Sequence, residues 1–350
     1  MPIVLIMAGG IGERFWPASK KSRPKQFLPL ISSIPMICET ISRTKDIVAI
    51  ADTYVVTVEQ QKMLLKECAP DFPVDNVILE PMGKNTAPCI AMAVFEFLKK
   101  YSPDEVVAVL PADHYISKQK DYTDFLTYAF EQAKSTGKFI TFGITPNRPE
   151  TGYGYIEIGD KVHDHTYKGI RFVEKPNIDL AEEYVESGKY VWNSGMFVFR
   201  ISTFIEELKK NEPEIYDSVL EIVQSSDKDF VKEKYSLLPS TSIDYAIMEK
   251  LDEFLVVPAD IGWDDVGSWR ALETTKGKNA SGNVLIGDCI VKDVKNSIIF
   301  NEGKLIAAVG LEDIVIVNTE DALLVIPKDR LNQIKEIVAE LRNAKRDDTI

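Results

Sequence analysis

Short apolar runs alternate with stretches of helical spacing through the first 144 residues, and this alternation restricts the fold more than any other feature of the chain. The apolar runs are Ile3–Ala8, Tyr54–Val58, Val106–Leu110 and Phe139–Ile144. Between them, Ala87–Lys100 and Tyr122–Lys134 have the spacing of helices with one buried face. Strands that alternate with helices predict an α/β fold with a doubly wound sheet, in which ligands bind beyond the carboxyl ends of the strands.

The pattern becomes mixed in the second half of the chain. Further strands are expected at Tyr153–Ile158, Ile170–Glu174 and Met196–Arg200, with helices near residues 179–187 and 202–210. Short Val and Ile runs broken by Gly, Asp and Asn extend from Asn283 to Ile326, and Asp329–Arg342 has one apolar helical face. We predict a large domain with a doubly wound mixed sheet, residues 1–278, and a small β-solenoid-like domain with a closing helix, residues 279–350.

The formal net charge of −13 argues against binding to nucleic acid or to acidic membranes. Residues 14–25 are an exception, because they contain five Lys or Arg residues and no Asp or Glu. One basic segment in an acidic protein suits the capture of a small polyanion, although a solvated loop has the same composition.

No apolar run has the length of a membrane span or the features of a signal peptide. The four cysteines have neither the spacing of a zinc site nor that of a disulfide framework. We therefore expect a cytoplasmic protein.

A glycine-rich turn, Gly9-Gly10-Ile11-Gly12-Glu13-Arg14, follows the first predicted strand. Glycines let a backbone approach an anion closely and point its N–H groups toward it, so this turn is a candidate phosphate loop. It is not the dinucleotide-binding fingerprint, because Phe15 stands where that motif needs a third glycine, which argues against a dehydrogenase. The P-loop string does not follow this strand either.

Two cations stand at set intervals after these glycines, Arg14 directly behind the turn and Lys25 within Arg23–Pro29. The planar guanidinium of Arg14 can hold a triphosphate, and the Lys25 ammonium can act as a point charge. Prolines in this stretch stiffen the chain, as a loop of fixed shape around a ligand requires.

Seven motifs follow one another along the chain. They are Gly9–Ser19 with Pro24–Phe27, Glu80–Pro88, Pro111–His114, Thr151–Ile156, Phe172–Pro176, Trp192–Phe197 and Trp263–Trp269. In this order they resemble the sugar-1-phosphate nucleotidyltransferases, specifically the mannose-1-phosphate guanylyltransferase branch. The resemblance covers almost the whole chain and implies a Rossmann-like nucleotidyltransferase fold.

The resemblance implies transfer of GMP from GTP to α-D-mannose 1-phosphate, giving GDP-mannose and pyrophosphate. Two polyanions must be brought together, so charge neutralisation and positioning are the main tasks. The attacking phosphate is already ionised at neutral pH and needs no general base. The implied partners are GTP and mannose 1-phosphate, the implied cofactor is Mg²⁺ or Mn²⁺, and the β-rich tail with its closing helix makes a homodimer an expectation.

The resemblance assigns catalysis to Arg14, Lys25, Asp113 and Asp265. Nucleotide contacts are expected from Ala8, Gly9, Gly10, Gly12, Arg14, Glu80, Asn85, Thr86, Ala87, Pro88 and Asp113. The Glu80 carboxylate suits the N1–H and N2–H₂ donors of guanine, although a surface charge at a strand end gives the same pattern. Sugar contacts are expected from Tyr153, Gly154, Glu174, Lys175 and Asn193, with an ion pair to Glu174 as the structural alternative for Lys175.

Asp113 and Asp265 are the expected metal ligands, because Mg²⁺ takes one or two carboxylates together with substrate phosphates and water. For Asp113 a helix N-cap is the structural alternative. Relatives usually carry Ser or Asn where this chain has Asp264, so two adjacent carboxylates compete for the second position. Adjacent residues of an extended segment face opposite sides, so one of them reaches the metal, and the Trp-x-Asp-x-Gly spacing favours Asp265.

Two alternative functions stay open on the sequence. A sister enzyme would run the same reaction with another sugar 1-phosphate or another nucleotide. A regulatory subunit that senses nucleotide sugars would be expected to lose a metal carboxylate or a phosphate cation, whereas all four catalytic candidates are present. Asp244, which follows Ser240-Thr241-Ser242, is interpreted as part of a helix start.

Overall fold

The computed structural model of the chain describes residues 1–346 and 348–350. Buried apolar runs form most of its strands, as the sequence pattern predicts. The first eleven strands are β1 (Ile3–Met7), β2 (Thr53–Val58), β3 (Val77–Glu80), β4 (Val106–Pro111), β5 (Tyr115–Ile116), β6 (Ile140–Ile144), β7 (Tyr155–His163), β8 (Thr166–Val173), β9 (Tyr190–Arg200), β10 (Phe254–Pro258) and β11 (Trp263–Asp264). The C-terminal strands are β12 (Val284–Ile286), β13 (Cys289–Lys292), β14 (Ile298–Asn301), β15 (Ile306–Val309), β16 (Ile314–Asn318) and β17 (Leu323–Pro327).

The helices lie mainly between the strands of the first part of the chain. They are α1 (Met36–Thr44), α2 (Glu59–Cys68), α3 (Thr86–Phe97), α4 (Gln119–Thr136), α5 (Ile178–Ser187), α6 (Ile201–Asn211), α7 (Pro213–Gln224), α8 (Lys228–Leu237), α9 (Ile243–Ala246), α10 (Leu272–Thr275) and α11 (Ile334–Asn343). None of the helices in the described part of the chain is long and apolar enough to cross a membrane.

Nine of the strands form one mixed sheet, in the order β3-β2-β1-β4-β9-β6-β10-β8-β7. The four strands β3, β2, β1 and β4 are parallel, whereas β9 runs antiparallel between β4 and β6. Helices α1, α2 and α4 pack apolar side chains on one face of the sheet, and α3, α6 and α7 pack on the other. The predicted doubly wound mixed sheet is confirmed.

The register of β1 and β4 explains how distant motifs meet. The two strands are parallel neighbours, with Met7 opposite Pro111. The Ala112 backbone N–H donates to the Met7 carbonyl at 3.0 Å just beyond the paired strands. Because both strands end at the same edge, the phosphate loop after β1 and Asp113 after β4 lie side by side, as the strand pattern predicts.

Helices α7 and α8 have no counterpart in the sequence prediction, although both carry start signals. Pro213 occupies the first turn of α7. The Asp227 carboxylate caps α8 by accepting from the backbone N–H groups of Asp229 and Phe230, at 3.0 and 3.3 Å. Charged residues occupy much of α8, so its apolar period is weak, and its stability comes from packing that the sequence pattern does not display.

The C-terminal strands stack in the parallel manner of a β-solenoid. Strands β12, β14 and β16 pair in parallel, as do β13 and β15, and β17 closes the stack antiparallel to β16. The Asn318 amide donates to Asn301 Oδ1 at 2.9 Å, so equivalent positions on successive turns bond to each other. The expected β-solenoid-like region is confirmed.

The closing helix begins later than predicted. Lys328–Gln333 forms a 3₁₀ turn, and α11 follows it. The fully buried Ile334 of α11 belongs to a core that also contains solenoid side chains together with Phe15 and Trp16, which lie beside the phosphate loop. The C-terminal region and the phosphate loop therefore share one hydrophobic core.

Replacing Ile334 by Ala is expected to lower the free energy of unfolding by about 2–5 kcal/mol, because the change leaves a cavity in this shared core. Urea denaturation followed by tryptophan fluorescence measures the change. Glu340→Ala is the matched control, since Glu340 is exposed on the same helix and a change within about 0.5 kcal/mol is expected there. Equal unfolding midpoints for the two variants would contradict the shared core.

Candidate functional site

The phosphate loop leaves β1 at Ala8 and turns at Gly12, whose φ of +77° lies in the left-handed region. A Cβ atom at Gly12 would overlap the Cβ of Lys25, so a larger residue does not fit between the loop and the basic segment. The Gln26 amide fixes the loop from behind by donating to the carbonyls of Ala8 at 3.2 Å and Gly10 at 2.9 Å. The protein itself therefore holds the loop in one shape.

The ammonium of Lys25 links three segments of the chain. Its Nζ lies 2.8 Å from Asp113 Oδ2 and donates to the backbone carbonyl of Asp265 at 2.9 Å. Burial acts to raise the pKa of Asp113, but neighbouring positive charge, chiefly that of Lys25, outweighs it and leaves this pKa below its ordinary value. Asp113 is therefore an ionised carboxylate at neutral pH, held beside a buried cation.

Asp265 and Asp264 face different partners. Asp265 Oδ1 accepts from the Tyr153 hydroxyl at 2.6 Å, and its Oδ2 has no hydrogen-bond donor among the described residues. Both oxygens of Asp264 bond within its own segment, Oδ1 to the Val266 N–H at 2.7 Å and Oδ2 to the Thr274 hydroxyl at 3.2 Å. Asp265 thus presents the freer carboxylate of the two.

A central cavity of about 430 Å³ opens at the carboxyl edge of β1 and β4. Of the residues expected to bind the nucleotide, the cavity is lined by Ala8, Gly9, Gly10, Gly12, Glu80, Asn85, Thr86 and Asp113. Ala87 and Pro88 are instead buried in the first turn of α3, and Arg14 lines a neighbouring cleft. The cavity therefore joins the phosphate loop to the Glu80 motif.

Glu80 is a buried carboxyl group at the end of β3. Its Oε2 accepts from the Tyr235 hydroxyl at 3.0 Å, and a Cβ atom built on Gly9 would lie 2.7 Å from its Oε1. Burial raises the pKa of Glu80 to about 7, although the hydrogen bonds from Tyr235 and from the Lys84 backbone oppose the shift. Near neutral pH, Glu80 is therefore partly an ionised carboxylate, which accepts hydrogen bonds, and partly a neutral carboxylic acid.

Three of the residues expected on the sugar side, Gly154, Glu174 and Asn193, lie together. The Asn193 backbone N–H donates to the Gly154 carbonyl at 2.8 Å, and its side-chain oxygen accepts from the Thr141 hydroxyl at 3.1 Å. A Cβ atom on Gly154 would lie 2.5 Å from Glu174 Oε2, so glycine permits this close approach. Lys175 forms an ion pair with Glu174, which is the structural alternative expected for this lysine.

Asp244 is a site candidate that sequence reasoning missed. Its Oδ1 accepts from the Asn193 amide at 3.0 Å, and its side chain lines the central cavity. Burial and then the neighbouring Glu174 carboxylate raise the pKa of Asp244 to about 6. The expected helix start is real, but Ser242 is the capping residue and accepts from the Tyr245 N–H at 3.4 Å. The one sequence signal for Asp244 was a carboxylate in the turn after that cap.

Tyr153 lies with Asp265, while its neighbour Gly154 faces Glu174. The Tyr153 ring packs edge-on against Trp192 and Trp263, with centroid separations of 5.1 and 5.3 Å. These packed rings hold the Tyr153 hydroxyl against the Asp265 carboxylate. The geometry makes Tyr153 a support for Asp265.

Asp113 and Asp265 carry carboxylate oxygens, which are the ligands that hard divalent cations such as Mg²⁺ and Mn²⁺ take. In residues 1–346 and 348–350, no group of three or more His, Cys, Asp and Glu side chains is arranged to hold a metal ion. A cation held by two carboxylates completes its coordination with substrate phosphates and water.

Comparisons with known proteins agree with this geometry. A family model described as nucleotidyl transferase matches residues 3–281, and one described as a MannoseP isomerase/GMP-like beta-helix domain matches residues 287–341. A putative mannose-1-phosphate guanylyltransferase of Vibrio cholerae is 44% identical over 354 residues, covering 99% of this chain and 76% of the relative. Mannose-1-phosphate guanylyltransferase 2 of Escherichia coli O157:H7 is 42% identical, covering 99% of this chain and 75% of the relative.

The three-dimensional likeness extends over nearly the whole chain. A crystal structure from Thermus thermophilus, described as a mannose-1-phosphate "geranyltransferase", superposes with a TM-score of 0.89 at 35% identity and covers 97% of this chain and 99% of that one. Sequence, fold and domain matches thus agree over both parts of the molecule. The chain belongs to the nucleotidyl transferase family, in the branch of the mannose-1-phosphate guanylyltransferases.

Proposed function

We propose that the chain transfers GMP from GTP to α-D-mannose 1-phosphate, which gives GDP-mannose and pyrophosphate. A phosphate oxygen of mannose 1-phosphate forms a bond to the α-phosphorus of GTP. The bond from that phosphorus to the α–β bridging oxygen breaks, and pyrophosphate leaves with its electron pair. The names of relatives 44% and 42% identical over nearly the whole chain support this reaction.

One observation carries the proposal, namely the contact of the Lys25 ammonium with both Asp113 and the Asp265 segment beside the phosphate loop. Two polyanionic substrates approach each other only where their charge is neutralised. A buried ammonium and loop N–H groups supply fixed positive charge at the place where the α-phosphorus reacts. Because Gln26 already holds the loop, little reorganisation accompanies binding.

On the nucleotide side, we assign the triphosphate to the amides of the glycine-rich loop and to Arg14. The Glu80 carboxylate is assigned to the N1–H and N2–H₂ donors of guanine. Its burial supports this role, because a buried acceptor that meets two donors discriminates strongly against a base that lacks them. Asn85 and Thr86 form the adjoining wall of the cavity.

On the sugar side, we assign the hydroxyl groups of mannose to Glu174, Asn193 and Asp244. The hydrogen bond from the Asn193 amide to Asp244, at 3.0 Å, supports a shared role for these two side chains. Lys175, which Glu174 holds by an ion pair, is assigned to the sugar phosphate.

Mg²⁺ or Mn²⁺ is the proposed cofactor, with Asp113 and Asp265 as its ligands. When bound, such an ion neutralises phosphate charge near the leaving group. The free Oδ2 of Asp265, in contrast to the fully bonded carboxylate of Asp264, supports the choice between the two neighbours. Tyr153 orients Asp265 through its hydroxyl.

We also propose a domain boundary between residues 278 and 279 and a homodimer. The two family-model matches, which end at 281 and begin at 287, support the boundary. Exposed apolar side chains on the solenoid support an interface there, since Ile290, Val309, Leu323 and Val325 are each 59–64% exposed.

Asp113→Asn and Asp265→Asn are each expected to lower kcat by about 10²–10³-fold, because each removes a carboxylate ligand of the cation that stabilises the reacting phosphates. Pyrophosphate release from GTP with mannose 1-phosphate and Mg²⁺ measures the loss. Asp264→Asn is the matched control, and only a few-fold change is expected because asparagine keeps an acceptor for the Val266 N–H. A large loss at Asp264 with near-normal turnover of Asp265→Asn would reverse the assignment.

The KM for GTP is expected to rise by up to about tenfold as the pH falls from about 8 to about 6. Burial raises the pKa of Glu80 to about 7, so the acceptor form is lost below that pH. Glu80→Gln does not titrate and is expected to lose the preference for GTP over ATP. Phosphate groups titrate alike in both proteins, so the ratio of their KM values isolates Glu80. An unchanged ratio across this pH range would contradict the assignment.

A further inference from the structure

A groove between the phosphate loop and the closing helix collects basic side chains from separate segments. It has a volume of about 460 Å³ and is lined by Arg14 behind the loop, Arg270 in a 3₁₀ turn, and Lys328 and Lys335 near the start of α11. We call it the basic groove. In a chain of net charge −13, this local concentration of positive charge favours the binding of a small anion.

Three of these cations have no acidic partner. Among the described residues, the side chains of Arg14 and Lys335 form no hydrogen bond or ion pair. Arg270 donates to the Lys328 backbone carbonyl at 3.3 Å and forms no ion pair there. All three side chains belong to exposed residues, so each is free to meet a ligand.

The acidic residues near the basic groove balance only part of its positive charge. Glu150, which also lines the groove, is bonded to Arg148 at 3.2 Å. Lys328 is the cation of the groove that has an acidic partner, Glu273 at 2.6 Å. Asp329 also lines the groove and forms no ion pair among the described residues. One unpaired carboxylate therefore faces three unpaired cations.

The packing of the C-terminal region fixes the shape of the basic groove. Arg342 of α11 forms an ion pair with Glu13 of the phosphate loop at 2.7 Å. The Trp16 indole N–H donates to the Thr349 carbonyl at 2.7 Å in a buried position. These contacts hold α11, which carries Lys335, next to the phosphate loop, which carries Arg14.

The basic groove continues toward the reacting atoms. A cleft of about 490 Å³ beside it is lined by the same Arg14 and Arg270 and also by Asp265. Lys25 connects this cleft to the central cavity, because its ammonium contacts Asp113, which lines the cavity, and the carbonyl of Asp265, which lines the cleft. Through Arg14 and Arg270 the basic groove is therefore continuous with the cleft that reaches Asp265.

We propose that the basic groove binds the diphosphate end of GTP and then the pyrophosphate that leaves, with Arg270 and Lys335 acting beside Arg14. The inference rests on the proposed function and adds the closing helix to the site. In the reverse reaction a pyrophosphate oxygen attacks the α-phosphorus of GDP-mannose, and mannose 1-phosphate leaves with the electron pair. Two forked guanidinium groups and an ammonium match the dense charge of a diphosphate.

The test measures the reverse reaction of three variants, namely Arg270→Gln, Lys335→Gln and the double variant that carries both changes. Arg330→Gln is measured beside them. Arg330 is the matched control, because it is exposed in the same 3₁₀ turn as Lys328 but does not line the groove. Each single variant is expected to raise the KM for pyrophosphate by about five- to tenfold, with the KM for GDP-mannose within about twofold. The difference from wild type shrinks as salt is added.

Calorimetric titration of the same proteins with pyrophosphate and Mg²⁺ separates this inference from the proposed function. Weaker pyrophosphate binding in the groove variants, with normal binding in Arg330→Gln, is the expected result. Equal pyrophosphate binding in wild type and in both groove variants would overturn the inference while leaving the reaction intact. Absence of the reverse reaction in wild type would contradict the proposed function, and the titration would still decide whether the groove binds the anion.

Discussion

The buried ammonium of Lys25 is the contact on which the arrangement of the candidate site depends. It meets the Asp113 carboxylate at the end of one strand and the Asp265 carbonyl in a segment 152 residues further along the chain. A buried cation is costly without partners, so the three segments are stabilised in contact with one another. Its position beside Gly12, where a Cβ would overlap, ties the phosphate loop to the same point. The phosphate loop, Asp113 and the Asp265 segment therefore converge on one ammonium group.

The second constraint is the hydrophobic core that the C-terminal region shares with the phosphate loop. Phe15, Trp16 and Trp269 pack in one cluster with Ile334 and with side chains of the solenoid strands. The C-terminal strands thus support the loop from outside the main sheet, and the closing helix brings Lys335 to the edge of the site. This arrangement gives a physical reason for a β-solenoid attached to a nucleotidyltransferase sheet. The shared core stabilises the loop, and in the role that we propose for the basic groove Lys335 supplies positive charge to the leaving pyrophosphate.

Features set by local pattern were predictable from the sequence. Apolar runs identified the central strands, and the parallel order of β1 and β4 follows from the strand–helix alternation, so the meeting of the phosphate loop with Asp113 was expected. The role of Asp244 in the candidate site was not predictable. Its contact with Asn193 joins positions 51 residues apart, and the residues around it have the pattern of a helix start. Helix α8 was also missed, because its apolar face is weak and tertiary packing decides its presence.

The direction in which each side chain points was the second feature that the sequence did not predict. The spacing of Trp263-x-Asp265-x-Gly267 favoured Asp265, but the structural distinction comes from hydrogen bonds that occupy both oxygens of Asp264. Tyr153 and Gly154 stand side by side in one motif, yet one supports Asp265 and the other faces Glu174, because adjacent residues of an extended chain point to opposite sides.

The most direct test is pyrophosphate release by the purified chain with Mg²⁺, GTP and mannose 1-phosphate, with ATP, glucose 1-phosphate and EDTA as controls. We predict release that favours GTP and mannose 1-phosphate and stops when EDTA removes the metal. Metal-dependent release with another pair would keep the mechanism and correct the substrates. No release with any pair would contradict catalysis at the site around Lys25, Asp113 and Asp265. It would favour a subunit that senses nucleotide sugars.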